Sequence, residues 1–148
     1  MKVAKTVRHK ILNHASIFDE TIRVYNEALS FIIEVIDNEV ADTNTYSTKE
    51  MTNLIERLIH ATKSNPNPKY TEFNQRFYKF PSYFRRAAIA TAFGKVKSYR
   101  SLLENWETEK QVALENGRKF NKQPPTKQFT HKEFPVLYKG NMFKRTSD

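Results

Sequence analysis

Apolar side chains recur at helical spacing through the middle of the chain. Between residues 17 and 38 they fall three and four positions apart, which places them on one stripe of a helix. The stripe comprises Phe18, Ile22, Tyr25, Leu29, Ile32, Ile33 and Ile36. It predicts a long first amphipathic helix.

A second helix is predicted after a polar turn. Ser47 and Glu50 form a capping-box pattern ahead of an apolar stripe that runs from Met51 to Ile59. The segment 64–68 then ends this helix, because its two prolines bias the residues before them away from the helical conformation. The pattern therefore gives the second helix both a start and a stop.

The longest predicted helix begins at Pro81 and Ser82, since proline suits the first turn of a helix. A short aromatic segment, residues 70–77, fits one or two helical turns ahead of it. The apolar stripe of the long helix predicts about six turns. Its members are Phe84, Ala88, Ala92 or Phe93, Val96, Tyr99, Leu103 and Trp106. The acidic residues 104–115 extend the helix toward Gly117.

Both ends of the chain show a period of two instead, which is typical of half-buried strands. The apolar positions are Val3, Val7 and Ile11 at one end, and Phe134, Val136 and Tyr138 at the other. We therefore predict strands in residues 1–12 and 128–148, with a proline-containing linker at 121–127. The predicted fold is mainly α with minor β (α+β): a helical domain, residues 16–120, inserted between the strands of a small, incomplete β-barrel-like unit.

Composition excludes several classes of function. The chain has no cysteine, so it can form neither a disulfide, nor a thiolate nucleophile, nor a cysteine-based zinc site. With three glycines in the whole sequence, the chain is poorly suited to form a glycine-rich phosphate loop. The four histidines are dispersed and show no metal-ligand spacing, and no catalytic motif is present. We expect no cofactor, no metal and no enzymatic activity.

No targeting or membrane-spanning pattern is found in the sequence. The basic first residues lack the apolar run of about 7–15 residues that a signal peptide needs, and no later run approaches the ~20 that span a bilayer. The strongest apolar stripe lies in the acidic part of the chain, which disfavours binding to an anionic membrane surface. The prediction is a cytoplasmic protein without membrane contact.

The net charge of +9 is distributed in segments. Residues 13–62 carry three basic and nine acidic side chains, residues 63–100 nine basic and one acidic, and residues 118–148 eight basic and two acidic. Segmental basic charge indicates elements that face a polyanion such as nucleic acid. In the alternative interpretation, these cations only solubilise a helical protein-interaction module.

Residues 77–89 carry the pattern most specific for nucleic acid. They interleave aromatic rings with Lys79, Arg85 and Arg86 at the predicted start of the long helix. Aromatic rings stack on bases, and the free amides of a helix start favour phosphate. Alternatively, the phenylalanines are core residues and the arginines ordinary surface charge.

Two runs extend this pattern: FPSYFRRAAIATAFGKVKSYRSLLENWE and, after a spacer, QPPTKQFTHKEFPVLYKGNMFK. Together with the opening KTVRHKIL and the helix IFDETIRVYNEALSFI, they resemble the N-terminal half of TnpB (OrfB-type) proteins, the transposon-encoded RNA-guided nucleases. The resemblance covers nearly the whole chain. It implies a wedge-like β-barrel interrupted by a helical recognition domain, which holds guide RNA and inspects a short DNA motif.

By that resemblance the chain is a member truncated before the nuclease domain, with the missing nuclease part as one expected partner. The other expected partners are DNA and structured guide RNA. The resemblance places inspection of the DNA motif at Ser82, Arg85 and Arg86, and further nucleic-acid contacts along the basic side of the long helix and beyond it. The complete predicted set is Lys79, Ser82, Tyr83, Arg85, Arg86, Lys95, Lys97, Arg100, Lys119, Lys122, Lys127, Lys139 and Lys144.

Overall fold

The computed structural model describes residues 15–127 and 132–136, and this part of the chain is predominantly α-helical. Its elements are a 3-10 turn at Ala15–Phe18 and the helices α1 (Asp19–Glu39), α2 (Thr48–Ile59), α3 (Glu72–Arg76) and α4 (Ser82–Glu115). Helices account for 64% of the described residues, and none of those residues lies in a strand. The predicted helices are therefore confirmed.

The predicted β-barrel-like unit is wrong for the part of the chain that the structure describes. Residues 132–136, which carry part of the alternating pattern, form no strand. Instead, the side chain of Asn26 donates to the Glu133 carbonyl at 2.9 Å and accepts from the Glu133 amide at 3.0 Å. Alternation alone cannot make a sheet, because a strand needs a second strand to pair with. The predicted strand at 1–12 and the remainder of 128–148 lie outside the described residues.

The ends of the helices follow the signals in the sequence. At the start of α2, the Glu50 amide donates to Ser47 Oγ at 3.3 Å and the Ser47 amide donates to Glu50 Oε2 at 2.8 Å. At the end of α4, the amides of Gly117 and Arg118 donate back to carbonyls of the last helical turn at 3.0 and 2.8 Å. Gly117 has a φ of 65°, the left-handed conformation that closes this Schellman arrangement.

We expect Ser47→Ala to lower the free energy of unfolding by about 1 kcal/mol, because the substitution removes the acceptor that caps α2. Urea unfolding followed by circular dichroism measures the loss. Ser101→Ala is the control, since Ser101 is exposed in the middle of α4 and its change should stay within about 0.5 kcal/mol. Equal effects of the two substitutions would contradict the capping role.

One hydrophobic core joins the four helices. The buried stripe of α1 packs mainly against α4, and α2 also packs against α4. The largest fully buried side chains include Leu29, Ile32, Ile36, Met51, Ile55, Ile59, Phe73, Ile89 and Val96. No residue of α4 after Val96 is buried, so the distal half of the helix extends beyond this core.

Residues 118–127, called the tail, return from the end of α4 toward α1. Trp106 Nε1 on α4 donates to the carbonyl of Lys122 in the tail at 2.8 Å. Further along, Lys127 forms an ion pair with Asp37 of α1. The tail has no regular secondary structure, as its prolines predict for residues 121–127.

Candidate nucleic-acid interface

The predicted binding segment lies where the chain enters α4. Phe77 and Phe84 are buried and Phe80 is half-buried, so these three rings belong to the core. Two tyrosines of the same segment face outward, with Tyr78 77% exposed and Tyr83 42% exposed. The segment thus presents tyrosine rings outside and anchors itself with phenylalanine rings inside.

Packed rings hold the turn before α4 in place. The ring centroid of Phe77 lies 4.9 Å from that of Phe73 and 6.0 Å from that of Phe80. Between these anchors, Lys79 takes a φ of 55° and turns the chain toward α4. Its Nζ lies 5.2 Å from the ring centroid of the exposed Tyr78, so a cation and an aromatic ring are presented side by side.

Helix α4 begins without a side-chain cap. Pro81 occupies the N-cap position, and the first turn contains no acidic residue. The first amides of a helix have no partner within the helix, and the positive end of the helix dipole favours an anion there. A shallow groove of about 270 Å³ adjoins this start and is lined by Tyr78 and Lys79, and also by Glu20 of α1.

Both arginines of the predicted site contact the same carboxylate on α2. Arg85 Nε lies 3.3 Å from Glu56 Oε1, and Arg86 Nε lies 3.4 Å from Glu56 Oε2. Arg85 is only 7% exposed, whereas the Arg86 side chain keeps 58% of its surface. Arg86 is therefore accessible to solvent, whereas Arg85 is set into the interior.

Beyond Arg86, four of the six other predicted cations that the structure describes have an intramolecular partner. The pairs are Lys95 with Glu133, Arg100 and Lys127 with Asp37, and Lys122 with Glu109. Lys97 and Lys119 form no ion pair within the described part of the chain. Lys139 and Lys144 lie outside the described residues. A phosphate that binds the paired cations would have to share them with, or displace, a carboxylate.

Arg100 joins α4 to the end of α1. Its Nη1 donates to the carbonyls of Val40 at 2.6 Å and Ala41 at 3.0 Å, and its Nη2 donates to Asp37 Oδ1 at 3.1 Å. The hydrogen bond from Lys127, and after it the bond from Arg100, holds the pKa of Asp37 below its usual value. The pattern of charges along the sequence does not reveal this contact, since it depends on which carbonyls α4 meets.

The alternation of acidic and basic segments corresponds to contacts between helices. The basic residues of 63–100 that pair with carboxylates of 13–62 are Lys69, Arg76, Arg85, Arg86 and Arg100. Their carboxylate partners lie on α1 and α2. Much of the segmental charge is thus neutralised where the helices pack, and it does not by itself indicate an outside polyanion.

Residues 15–127 and 132–136 contain no group of three or more histidine and acidic side chains placed to hold a metal ion. None of their helices combines the length and the apolar character needed to cross a membrane.

A family model described as the Aq_aa04 family matches residues 5–148. No curated protein sequence and no solved structure matches the chain.

Proposed function

The chain belongs to the Aq_aa04 family, and we propose that it is a non-catalytic nucleic-acid-binding protein whose ligand lies against the start of α4. The family description names no activity, and nothing in the match connects the chain to TnpB proteins. Support for the proposal comes from the chemistry of the surface at the start of α4.

The observation that carries the proposal is an uncapped helix start flanked by exposed tyrosines and cations. Tyr78, which is 77% exposed, offers a ring on which a base can stack, and Tyr83 is 42% exposed. Lys79 forms no ion pair within the described part of the chain, Ser82 is the first residue of α4, and the Arg86 side chain keeps 58% of its surface exposed. Proteins bind single-stranded nucleic acid through this combination of stacking surfaces and neighbouring phosphate-binding groups.

The TnpB resemblance supplies the ligands to compare. Proteins of that kind hold a structured guide RNA and inspect duplex DNA, so both belong in the binding assay together with a single strand. If the resemblance extends to function, this chain contributes nucleic-acid binding to a transposon-associated assembly and leaves cutting to another polypeptide segment.

The second candidate is a helical protein-interaction module. It is favoured by the intramolecular pairing described above, because five basic residues of 63–100 already face carboxylates of α1 and α2. In that case the remaining basic charge only keeps the protein in solution. The two candidates differ in whether any nucleic acid binds at all.

Fluorescence anisotropy with labelled RNA, single-stranded DNA and duplex DNA over a salt series tests the proposal. Log affinity should fall linearly with log salt concentration. Tyr78→Ala should weaken binding of a single strand by about 1–3 kcal/mol, and Lys79→Ala should reduce the salt slope by about 1.

Lys110→Ala is the matched control, because it removes the same charge from the acidic distal half of α4. It should leave both the affinity and the slope unchanged. Absence of binding to all three nucleic acids at about 50 mM salt would reject the proposal in favour of the interaction module.

A further inference from the structure

A polar cleft of about 770 Å³ opens beside the end of α2. Its lining includes Asn53, Glu56, Arg57, His60, Ser64 and Arg85. Sites for small molecules occupy about 300–1,000 Å³, so the cleft has room for a ligand of that kind. It lies on the α2 side of α4, whereas the groove beside Tyr78 is formed with α1.

Arg85 is the unusual group in this lining. A charged side chain is rarely so deeply buried unless it is well paired, and Arg85 is 7% exposed. Its side chain makes one hydrogen bond to the described residues, from Nε to Glu56 Oε1 at 3.3 Å. Strong charge-assisted bonds measure about 2.7–2.9 Å, so this contact is a loose one. The donors on Nη1 and Nη2 have no acceptor in the described part of the chain.

Positive charge exceeds negative charge around the cleft. Arg57 and Arg85 line it, and Arg86 contacts the same Glu56 carboxylate at 3.4 Å. One carboxylate therefore stands among three guanidinium groups. An anion placed in the cleft would add negative charge beside guanidinium groups that share the single carboxylate of Glu56.

Neutral donors accompany these cations. The hydroxyls of Thr62 and Ser64, both in the cleft lining, lie 3.2 Å apart. Asn53 and Asn65 add side-chain amides to the lining, although the Asn65 amide nitrogen already donates to the Arg57 carbonyl at 2.7 Å. Hydroxyl and amide donors beside an arginine fork are the groups that bind phosphate oxygens.

We infer that this cleft binds a phosphomonoester, the group carried by a nucleoside monophosphate or by the 5′ end of a nucleic-acid strand. The Nη groups of Arg85 contact the phosphate oxygens, and the hydroxyls of the loop after α2 complete the site. The remaining volume accommodates the rest of a mononucleotide. The start of α4 need not bind nucleic acid for this to hold, because a free nucleotide can occupy the cleft without a strand bound elsewhere.

Isothermal titration calorimetry of the full chain tests the inference with adenosine 5′-monophosphate, and with adenosine as the ligand that lacks the phosphate. The monophosphate should bind at one site per chain, and the affinity for adenosine should be lower by at least about tenfold. Inorganic phosphate should compete with the monophosphate. No detectable binding of the monophosphate, or equal binding of adenosine, would overturn the inference.

Two substitutions in the cleft should act in opposite directions. Arg85→Met should weaken monophosphate binding about tenfold or more, whereas Glu56→Gln should strengthen it, because it removes the carboxylate that competes for the guanidinium groups. A damaged fold cannot produce a gain, so the gain separates a binding role from a structural one. Arg76→Met makes the same chemical change at an arginine outside the cleft lining and should leave affinity unchanged. Equal losses in Arg85→Met and Arg76→Met would overturn the inference.

A pair of oligonucleotides of one sequence, with and without a 5′-phosphate, separates the two sources of the phosphomonoester. Tighter binding of the phosphorylated strand that is lost in Arg85→Met assigns the cleft to strand ends. Binding of the mononucleotide without that preference assigns it to a free nucleotide. Strand binding that depends on Tyr78, with no mononucleotide binding at all, would support the proposed function and overturn the inference that the cleft binds a phosphomonoester.

Discussion

Phe73→Ala is expected to lower the free energy of unfolding by about 3–5 kcal/mol. Phe73 is 1% exposed, and its ring centroid lies 5.5, 4.9 and 5.9 Å from those of Phe31, Phe77 and Phe80. Removing the ring leaves a cavity among three stiff aromatic side chains, which cannot fill it without moving the backbone. Equilibrium unfolding in urea measures the loss.

Tyr78→Ala is the matched control for this substitution. It removes a ring of similar size from the same segment, but Tyr78 is 77% exposed, so its effect should stay within about 0.5 kcal/mol. Phe73→Leu should recover part of the loss, because it keeps an apolar group in the cavity. If the two alanine substitutions were equally destabilising, Phe73 would not be an anchor of the core.

Arg100→Ala is expected to cost about 2 kcal/mol, because it removes a charged donor from several acceptors at once. The carbonyls of Val40 and Ala41 and the carboxylate of Asp37 all accept hydrogen bonds from this guanidinium. Arg100→Lys should be intermediate, since an ammonium cannot reproduce the planar fork. Lys97→Ala, one turn earlier on α4, is the control and should have little effect.

The cost of Arg100→Ala should also depend on pH. The pKa of Asp37 in the folded protein lies below its usual value of 3.8, so its charge stabilises the fold above that value and ceases to do so as the pH falls through the lowered pKa. Wild type and variant should therefore differ less at about pH 3 than at about pH 7, with the carbonyl bonds retaining part of the difference. An unchanged difference would show that Asp37 does not contribute to the effect.

The helices could be predicted from the sequence because their signals are local. These signals are the helical spacing of apolar residues up to Ile36, the capping box at Ser47, and Gly117 after the last turn of α4. Each signal acts within a few residues, and each lies where the sequence predicts it. The β prediction at 132–136 failed because a strand is defined by a distant partner. At that position the Asn26 side chain pairs with the backbone of Glu133, and the spacing of apolar residues does not predict such a contact.

The candidate site could be predicted only in part for the same reason. Exposed tyrosines beside a helix start were foreseeable from the interleaved aromatic pattern of residues 77–89, but the burial of Arg85 against Glu56 was not identified. A signal for it does exist. Arg85 stands three residues before Ala88 and four before Ile89, both fully buried, so helical spacing puts its side chain at the edge of the buried stripe.

The left-handed backbone at Lys79 has a consequence for the balance between stability and recognition. A residue other than glycine held at a positive φ stores strain of about 1 kcal/mol or more, which glycine would relieve at the expense of the ammonium group. The strain persists because Phe77 and Phe80 pack on either side of the turn. With the main chain already locked in its final shape, a ligand at this corner would meet a preorganised surface, and little backbone entropy would be lost on association.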